Sequence, residues 1–350
     1  MNPRLTSIFQ EATAAVPSTF VIAEAGVNHN GDLARALEMI DAAADCQADA
    51  VKFQTFRADR LASMQAEKAH YQQETTGEEG NQHAMLKQLE LSEDDHQVLI
   101  KRCQERGILF LSTPFDEASA DLLLRLGVEG YKLGSGDITN LPLIQHLART
   151  GLPLILSTGM STMQEVDEAV SATREAGCHQ LALLHCVTSY PAPAGESNLR
   201  VIPALSRRFG VPAGFSDHSL GTHVAVAAVA LGARIIEKHF TLDRALPGPD
   251  HRASSTPDEL KLMVRQIRET ESALGDGEKQ VTPAERVNLA AGRRSLFWAA
   301  SLPAGTLPEK SHFICLRPGT GLAPRHLTDL VGRRLSRATV EGQPVSLEDF

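Results

Sequence analysis

Two histidines and a glutamate lie at the ends of neighbouring apolar runs within residues 214–251. Ser216, Asp217 and His218 close the run VPAGF, Glu237 and His239 close ARIIEKHF, and the helix-like segment VAVAAVALG lies between the two runs. This order predicts a strand, helix, strand unit whose parallel strands end at the same edge of a sheet. Two imidazoles at such an edge, with carboxylates beside them, could hold a divalent metal and leave positions open for water or substrate. The simpler alternative is that each histidine is a hydrogen-bonded strand-end residue.

Two lysines stand inside other apolar runs, Lys52 in AVKFQTF and Lys132 in GYKLGSG. Lysine is rarely buried without a partner, so these positions indicate a functional role. Hydroxyl and backbone donors that follow the same kind of run would complete a site for phosphate or carboxylate oxygens. The residues that supply these donors are Thr113, Ser135 and Ser216. The alternative is that the lysines form salt bridges with Glu24 and Glu237 inside the mouth of the fold.

Strand-like runs alternate with helix-period segments over the first 240 residues, which predicts a parallel sheet. The eight runs are FVIAEAG, AVKFQTF, ILFLSTP, GYKLGSG, PLILSTG, LALLHCV, VPAGFSDH and RIIEKHF. Eight units, with no G-x-G-x-x-G after the first strand, favour a (β/α)8 TIM barrel over a doubly wound open sheet. The active site of a TIM barrel forms at the carboxyl ends of the strands. The polar residues at those ends are Glu24, Lys52, Gln54, Thr113, Lys132, Ser135, Ser157, Thr158, His185, Ser216, His218, Glu237 and His239.

Two connections at this face are candidates for substrate contact. The segment 57–90 is too long for a simple strand-to-helix loop, and an insertion of this length indicates a lid. Asn81 within it could hydrogen-bond a polyol or could cap the helix HAMLKQLE. After the last strand, the turn around Gly248 and Pro249 could aim Asp250 inward.

Composition excludes several classes of function. A formal net charge of -9 without a basic stripe argues against nucleic-acid binding. The five cysteines are widely spaced and are interpreted as buried thiols in a reducing compartment. Residues 1–19 lack a continuous apolar core, so we expect no secretory signal, and this N-terminal extension could form a short amphipathic helix over one end of the fold. The most apolar run is too short to cross a bilayer, so we expect a cytoplasmic protein with no membrane partner.

The character of the chain changes after residue 273. Residues 20–273 form the predicted barrel, and the polar, glycine-containing segment 274–285 is a predicted linker. Residues 286–350 show short alternating runs punctuated by Pro and Gly, which predicts a small, mostly β module. Because that size is marginal for independent stability, we expect the module to pack against a barrel, either its own or a partner's.

The sequences of the motifs, and their order along the chain, resemble those of one known family. They include AEAGVNHNG, VKFQTF, STPF, YKLGSGD, LSTGM, LLHCVTSYPAP, GFSDH, EKHF and GPDH, and together they cover nearly the whole chain. These motifs look like the sialic acid synthase (NeuB-like) family. The tail RPGTG, residues 317–321, resembles its C-terminal antifreeze-like SAF domain.

The resemblance implies condensation of phosphoenolpyruvate with an open-chain N-acylated hexosamine, giving a nine-carbon 2-keto acid and phosphate. It implies that His218 and His239 bind a divalent metal, manganese being expected and magnesium or cobalt being alternatives. Glu24 and Glu237 are expected to activate water or relay protons, while Lys52 and Lys132 offset charge on the departing phosphate. The implied contacts to phosphoenolpyruvate are Lys52, Thr113, Lys132, Ser135 and Ser216. Gln54, Ser157 and Thr188 are further expected substrate-binding residues. The implied contacts to the sugar are Asn81, Asp137, Tyr190 and Asp250. Arg317 is expected to reach into the partner's active site in a domain-swapped homodimer.

Three positions depart from the family pattern. Asp137 stands where some members carry Glu, Thr188 and Ser189 fall where some carry Asn, and RPGTG replaces RPGNG. The first two changes bear on which sugar is accepted, so neuraminic, legionaminic and pseudaminic acids all remain as products. A different enzyme hypothesis is an aldolase with Lys52 or Lys132 as a Schiff-base nucleophile. A binding hypothesis makes the C-terminal module a carbohydrate- or ice-binding unit carried by the barrel.

Overall fold

The eight apolar runs form eight parallel strands in the computed structural model, which describes residues 2–10, 18–77 and 79–350. Part of the predicted N-terminal extension, residues 1 and 11–17, lies outside the described residues. The strands are β1 (Phe20–Gly26), β2 (Ala50–Thr55), β3 (Leu109–Pro114), β4 (Tyr131–Leu133), β5 (Leu154–Ser157), β6 (Leu181–Cys186), β7 (Ala213–Asp217) and β8 (Ile235–His239). Their order in the sheet is β3-β2-β1-β8-β7-β6-β5-β4, and the two end strands also pack against each other. The predicted (β/α)8 barrel is therefore confirmed.

Each barrel strand is followed by a helix that covers its outer face. These helices are α2 (Leu33–Asp45), α6 (Glu93–Arg106), α7 (Glu117–Arg125), α8 (Leu141–Arg149), α9 (Met163–Glu175), α10 (Val201–Phe209), α11 (His223–Ala230) and α12 (Pro257–Leu274). Helix α6 illustrates how local sequence sets the ends: Ser92 Oγ accepts the N–H of Asp95 at 3.1 Å, and Gly107 ends the helix with φ 66°. Side-chain capping at the first turn and a left-handed glycine at the end are the expected helix signals.

Further short helices lie before the barrel and after β2. Helix α1 (Pro3–Ile8) precedes the barrel, and α3 (Ala58–Leu61), α4 (His70–Thr76) and α5 (Gln82–Lys87) follow β2 in the segment predicted as a lid. Leu5 and Ile8 of α1 are fully buried against the aliphatic residues that fill the barrel. Helix α1 therefore closes one end of the barrel interior.

The two-residue periodicity of the strands builds a barrel interior in layers. Aliphatic residues form the layer next to α1, and the next inward positions along the same strands are polar. Thus Ile22 is followed by Glu24, Leu111 by Thr113 and Ile235 by Glu237 on the inner face. A Cβ at Gly214 would lie 2.3 Å from the carbonyl oxygen of Ile235, so only glycine fits there. The aliphatic layer supports the polar layer at the carboxyl ends of the strands.

Residues Gly277–Phe350 form a second compact unit, and the first unit ends at Asp276. The boundary falls within the segment 274–285. The second unit contains α13 (Pro283–Arg286), α14 (Leu289–Gly292), α15 (Leu327–Leu330) and the antiparallel pair β9 (Ser295–Trp298) and β10 (Phe313–Leu316). Its core is built around Trp298, whose Nε1 donates to Asp349 Oδ2 at 3.0 Å. Throughout the described ranges, every helix is too short or too polar to span a bilayer.

Candidate active site

A cavity of about 370 Å³ opens at the carboxyl ends of the barrel strands, beneath the segment 57–90. Most of the residues predicted to do chemistry line it. They are Glu24, Lys52, Gln54, Thr113, Lys132, Ser135, Ser157, Thr188, Tyr190, Ser216, His218, Glu237, His239 and Asp250. The barrel topology brings these residues together from all eight strands and the loops that follow them.

Two buried lysines meet one carboxylate at the floor of the cavity. Lys52 Nζ lies 2.9 Å from Glu24 Oε1 and 3.7 Å from Glu237 Oε2. Lys132 Nζ lies 3.4 Å from Glu237 Oε1, which also accepts a 2.9 Å hydrogen bond from Ser216 Oγ. The lysines therefore form the salt bridges of the alternative interpretation, and they also line the cavity.

The two glutamates have opposite electrostatic character. Burial would raise the pKa of Glu237, but Lys132 and Lys52 outweigh burial and lower it, so Glu237 is ionised. Burial raises the pKa of Glu24 by more than Lys52 lowers it. Burial lowers the pKa of Lys132, whereas for Lys52 the attraction of Glu237 and Glu24 exceeds the effect of burial and raises the pKa. When Glu24 holds a proton, two lysines face one carboxylate and the floor carries a net positive charge.

Small polar groups converge beside Lys132. Ser135 Oγ accepts the N–H of Gly159 at 2.9 Å and lies 3.0 Å from Cys186 Sγ. A Cβ at Gly159 would lie 2.3 Å from Thr188 Oγ1 and 2.6 Å from Cys186 Sγ, so the convergence needs glycine there. The buried hydroxyls of Thr188 and Ser157 have no hydrogen-bond partner within the described residues. Unpaired buried hydroxyls beside a lysine can bind an anion.

His218 and His239 lie side by side, with ring centroids 5.4 Å apart. His218 Nδ1 donates to the carbonyl oxygen of Val187 at 2.7 Å, so Nε2 carries the lone pair that could bind a metal, and Ser216 Oγ lies 3.5 Å from it. His239 Nδ1 is buried and has no hydrogen-bond partner within the described residues. Burial lowers the pKa of both imidazoles, so both are neutral at pH 7.

The histidine pair is chemically suited to a metal but does not enclose one. Neutral imidazoles are the form that binds metals, and His239 Nδ1 is a buried polar atom in need of a partner. No group of three or more His, Cys, Asp or Glu side chains positioned for a metal occurs in the described ranges. A metal at this pair would therefore take its other ligands from substrate and water, as in sites with open positions.

Aromatic residues cover the histidine pair. Tyr190 lies 4.3 Å from the His218 ring, centroid to centroid, and 5.0 Å from the Tyr71 ring of α4. Asp250 is buried next to them, and burial raises its pKa to about 6. Its carboxylate makes no hydrogen bond to the described residues, so it is available to a ligand.

Three predicted contacts do not line this cavity. Asn81 caps α5 by accepting the N–H of Ala84 at 2.8 Å, and it lines a neighbouring groove. Asp137 lies in the 3-10 turn after β4 and accepts a hydrogen bond from Asn140 at 3.2 Å. Arg317 is exposed and belongs to the second unit. For Asn81 the helix-cap alternative therefore describes its observed contacts.

Other lining residues were not singled out from the sequence. The sequence analysis interprets Cys186 only as a buried thiol, although it lies two residues before Thr188 on a strand whose end is predicted to be polar. Tyr71 and Gln72 belong to α4, where the sequence shows a lid but no periodic signal that separates inward from outward residues.

Comparison with known proteins places these observations in a family. The NeuB family matches residues 39–279, and the SAF domain matches residues 293–350. The chain is 49% identical to the N,N'-diacetyllegionaminic acid synthase of Legionella pneumophila over 91% of this chain and 90% of that protein. It is 44% identical to the Campylobacter jejuni protein of the same name over 90% of this chain and 95% of that protein.

A solved structure agrees with this placement. The crystal structure of an N-acetylneuraminic acid synthetase from Leptospira borgpetersenii, in complex with citrate, superposes with a TM-score of 0.70 at 37% identity, covering 80% of this chain and 95% of that one. The motifs, the barrel and these relatives agree, and the chain belongs to the NeuB family, with a C-terminal SAF domain.

Proposed function

We propose that this protein condenses phosphoenolpyruvate with an open-chain 2,4-diacetamido-trideoxyhexose and water, giving N,N'-diacetyllegionaminic acid and phosphate. The names of the relatives from Legionella and Campylobacter support this product. The observation that carries the proposal is the cavity floor, where Lys52 and Lys132 flank Glu237 next to two neutral imidazoles. A cationic floor fits an enol phosphate, and the imidazole pair fits a metal beside it.

Phosphoenolpyruvate is proposed to lie over the lysines. Lys52 and Lys132 offset its negative charge, and their burial strengthens this attraction because water is excluded. Neighbouring side chains supply hydrogen bonds and hold the phosphate and carboxylate apart. These side chains are Gln54, Thr113, Ser135, Ser157, Thr188 and Ser216.

The sugar aldehyde is proposed to lie at the histidine pair. His218 and His239 would hold a divalent metal, manganese first with magnesium or cobalt as alternatives, and such an ion polarises an aldehyde oxygen when it is bound. Tyr190 and Asp250 border the same part of the cavity and are proposed to contact the sugar. The unpaired carboxylate of Asp250 suits a sugar hydroxyl or amide N–H.

The reaction balances with one water and no redox step. C3 of phosphoenolpyruvate bonds to the aldehyde carbon, water oxygen bonds to C2, and the bond from C2 to the bridging oxygen breaks as phosphate leaves. Glu24 is the proposed proton carrier, since its pKa is raised and its Oε2 is buried without a hydrogen-bond partner among the described residues. Glu237, ionised between the lysines, is proposed to keep both of them charged and oriented.

A direct assay tests the proposal. The protein is incubated with phosphoenolpyruvate, manganese and a panel of acylated hexosamines, and phosphate release and product mass are followed. The expected result is a metal-dependent nine-carbon acid from the diacetamido sugar. No phosphate release with any sugar would contradict the proposal. A borohydride-trapped adduct on Lys52 or Lys132, with no phosphate formed, would instead favour an aldolase.

The C-terminal module is proposed to act across a homodimer, with Arg317 of one copy reaching the site of the other. The family resemblance supports this proposal, and Arg317 is exposed and therefore accessible. Mixing an Arg317→Ala variant with a Lys132→Met variant tests it. Mixed dimers would contain one site with both residues intact, so activity should return on mixing; no recovery after exchange of subunits would contradict the swap.

A further inference from the structure

One wall of the cavity is hydrocarbon, in contrast to its charged floor. Its six lining residues, called here the apolar wall, are Val27, Leu61, Met85, Leu86, Leu89 and Phe115. They pack together with Phe56 in a cluster separate from the barrel core. Val27 follows β1 and Phe115 follows β3, while the others come from α3, α5 and the residues after α5. The wall therefore joins the lid to the β1–β3 side of the strand ends.

The charged and metal-binding groups come from different parts of the fold. The imidazoles belong to β8 and the end of β7, and the lining cations, Lys52 and Lys132, lie on barrel strands. The lid segment 57–90 contributes Tyr71, Gln72 and Gln82 to the lining but no Lys or Arg among its described residues. A phosphate or hydroxyl group in contact with the six apolar side chains themselves would lose water without gaining a partner from them, which is unfavourable. A methyl group there would be stabilised by burial.

The length of the sugar decides which part of it meets this wall. The reacting aldehyde carbon is C1, and C2, which carries the acetamido group, is bonded directly to it, so both carbons must stay near the histidine pair at the strand ends. C4 to C6 extend away from the reacting bond, towards the lid. Building on the proposed function, we propose that the apolar wall receives this distal half and selects a hexosamine whose C6 is a methyl group. A C6 hydroxymethyl or phosphorylated C6 is discriminated against.

Matched sugars and matched variants test the wall. N-acetylmannosamine and its 6-deoxy analogue differ at C6 alone, and the 2,4-diacetamido-trideoxyhexose adds a methyl-bearing group at C4. For the wild type, kcat/KM for the 6-deoxy analogue should exceed that for N-acetylmannosamine about 10- to 100-fold, the range for apolar pockets that reject an added hydroxyl. Met85→Gln and Leu86→Gln should reduce this ratio to within about threefold. Met64→Gln is the control, because Met64 is also in the lid segment but is 67% exposed and does not line the cavity.

The ratio of kcat/KM for the 6-deoxy analogue to that for N-acetylmannosamine distinguishes the possible roles of the wall. A collapse of the ratio in both wall variants, with the KM for phosphoenolpyruvate and the Met64→Gln ratio unchanged, supports the wall as the specificity element. Equal kcat/KM for the two C6 sugars in the wild type overturns it, as does an unchanged ratio in both wall variants. If adding the 4-acetamido group raises kcat/KM but removing the C6 hydroxyl does not, the wall contacts the substituent at C4 and the C6 proposal is wrong. Absence of phosphate release with every sugar overturns the proposed function itself, and the wall's role with it.

Discussion

Lys132 offers the sharpest test of the cavity floor. Its Nζ lies 3.4 Å from Glu237 Oε1 and donates to the carbonyl oxygen of Leu133 at 3.0 Å, and its side chain is 2% exposed. Lys132→Met keeps the length of the side chain and removes the charge. Glu237 keeps Lys52 and Ser216 as partners in this variant, so the fold should survive.

Lys132→Met is expected to weaken the use of phosphoenolpyruvate as a substrate. Truncating one partner of a buried charge pair costs about 2–5 kcal/mol, so the loss of the proposed contact between Lys132 and the phosphate should cost about 3 kcal/mol. Since each 1.36 kcal/mol is a factor of ten, kcat/KM for phosphoenolpyruvate should fall by about 10²-fold. The KM for the sugar should change little, because Lys132 lies on the floor and not beside Tyr190 or Asp250.

A lysine of equal burial provides the control. Lys238 is adjacent to Glu237 on β8, points to the other face of the strand, and pairs with Asp217 Oδ2 at 2.7 Å outside the cavity. Lys238→Met should lower the free energy of unfolding by about 3–5 kcal/mol, because it leaves a buried carboxylate unpaired. It should leave the kinetics of phosphoenolpyruvate unchanged. Steady-state kinetics and urea unfolding of both variants measure this; equal kinetic losses in the two would refute the assignment of Lys132.

Three further predictions concern the histidines and Asp250. Replacing both His218 and His239 by Ala should abolish manganese binding in calorimetry and metal-dependent turnover, with an unchanged circular dichroism spectrum; retained binding would contradict the metal assignment. The pKa of Asp250 is raised to about 6, so the KM for the sugar should increase as pH falls through about 6 and the carboxylate is lost, and Asp250→Asn should remove this dependence. Burial lowers the pKa of His29 to about 4, below its unfolded value, so its stability contribution is complete above about pH 6.5 and falls by about 3 kcal/mol as pH decreases to 4. Urea unfolding should show a smaller fall over that range in His29→Gln, and an equal fall would assign the effect elsewhere.

The barrel and most of its floor could be predicted because the periodicity of strands is simple. Once Glu24, Lys52 and Glu237 are placed at strand ends, the parallel topology brings them together whatever the loops do. Strand periodicity and parallel topology do not predict which side chains of the lid point into the cavity. Asn81 faces Ala84 and Met64 because a helix begins there, and Tyr71 faces the cavity because α4 packs against Tyr190. Tertiary packing of short helices decides such orientations, and a single sequence carries little information on it.

Cys186 shows a second limit of prediction. The sequence predicts a buried thiol, and Cys186 is buried, yet it lies beside Ser135 in the cavity. What places it there is its position on β6, in register with Ser216 of β7. Register between strands follows from the whole barrel and cannot be read from either segment alone.

Helix α1 bears on the order in which ligands can bind in the cavity. Within the described part of the chain, Leu5, Ile8 and the aliphatic layer occupy the barrel beneath the lysines, so ligands reach the floor from the lid side. A molecule seated on Lys52 and Lys132 is then covered by whatever occupies the space between them and the lid. Under the proposed function, we therefore expect phosphoenolpyruvate to bind before the sugar, because a sugar bound first would block its path to the lysines. High sugar concentrations should therefore inhibit turnover competitively with phosphoenolpyruvate, because α1 and the aliphatic layer close the other end of the barrel.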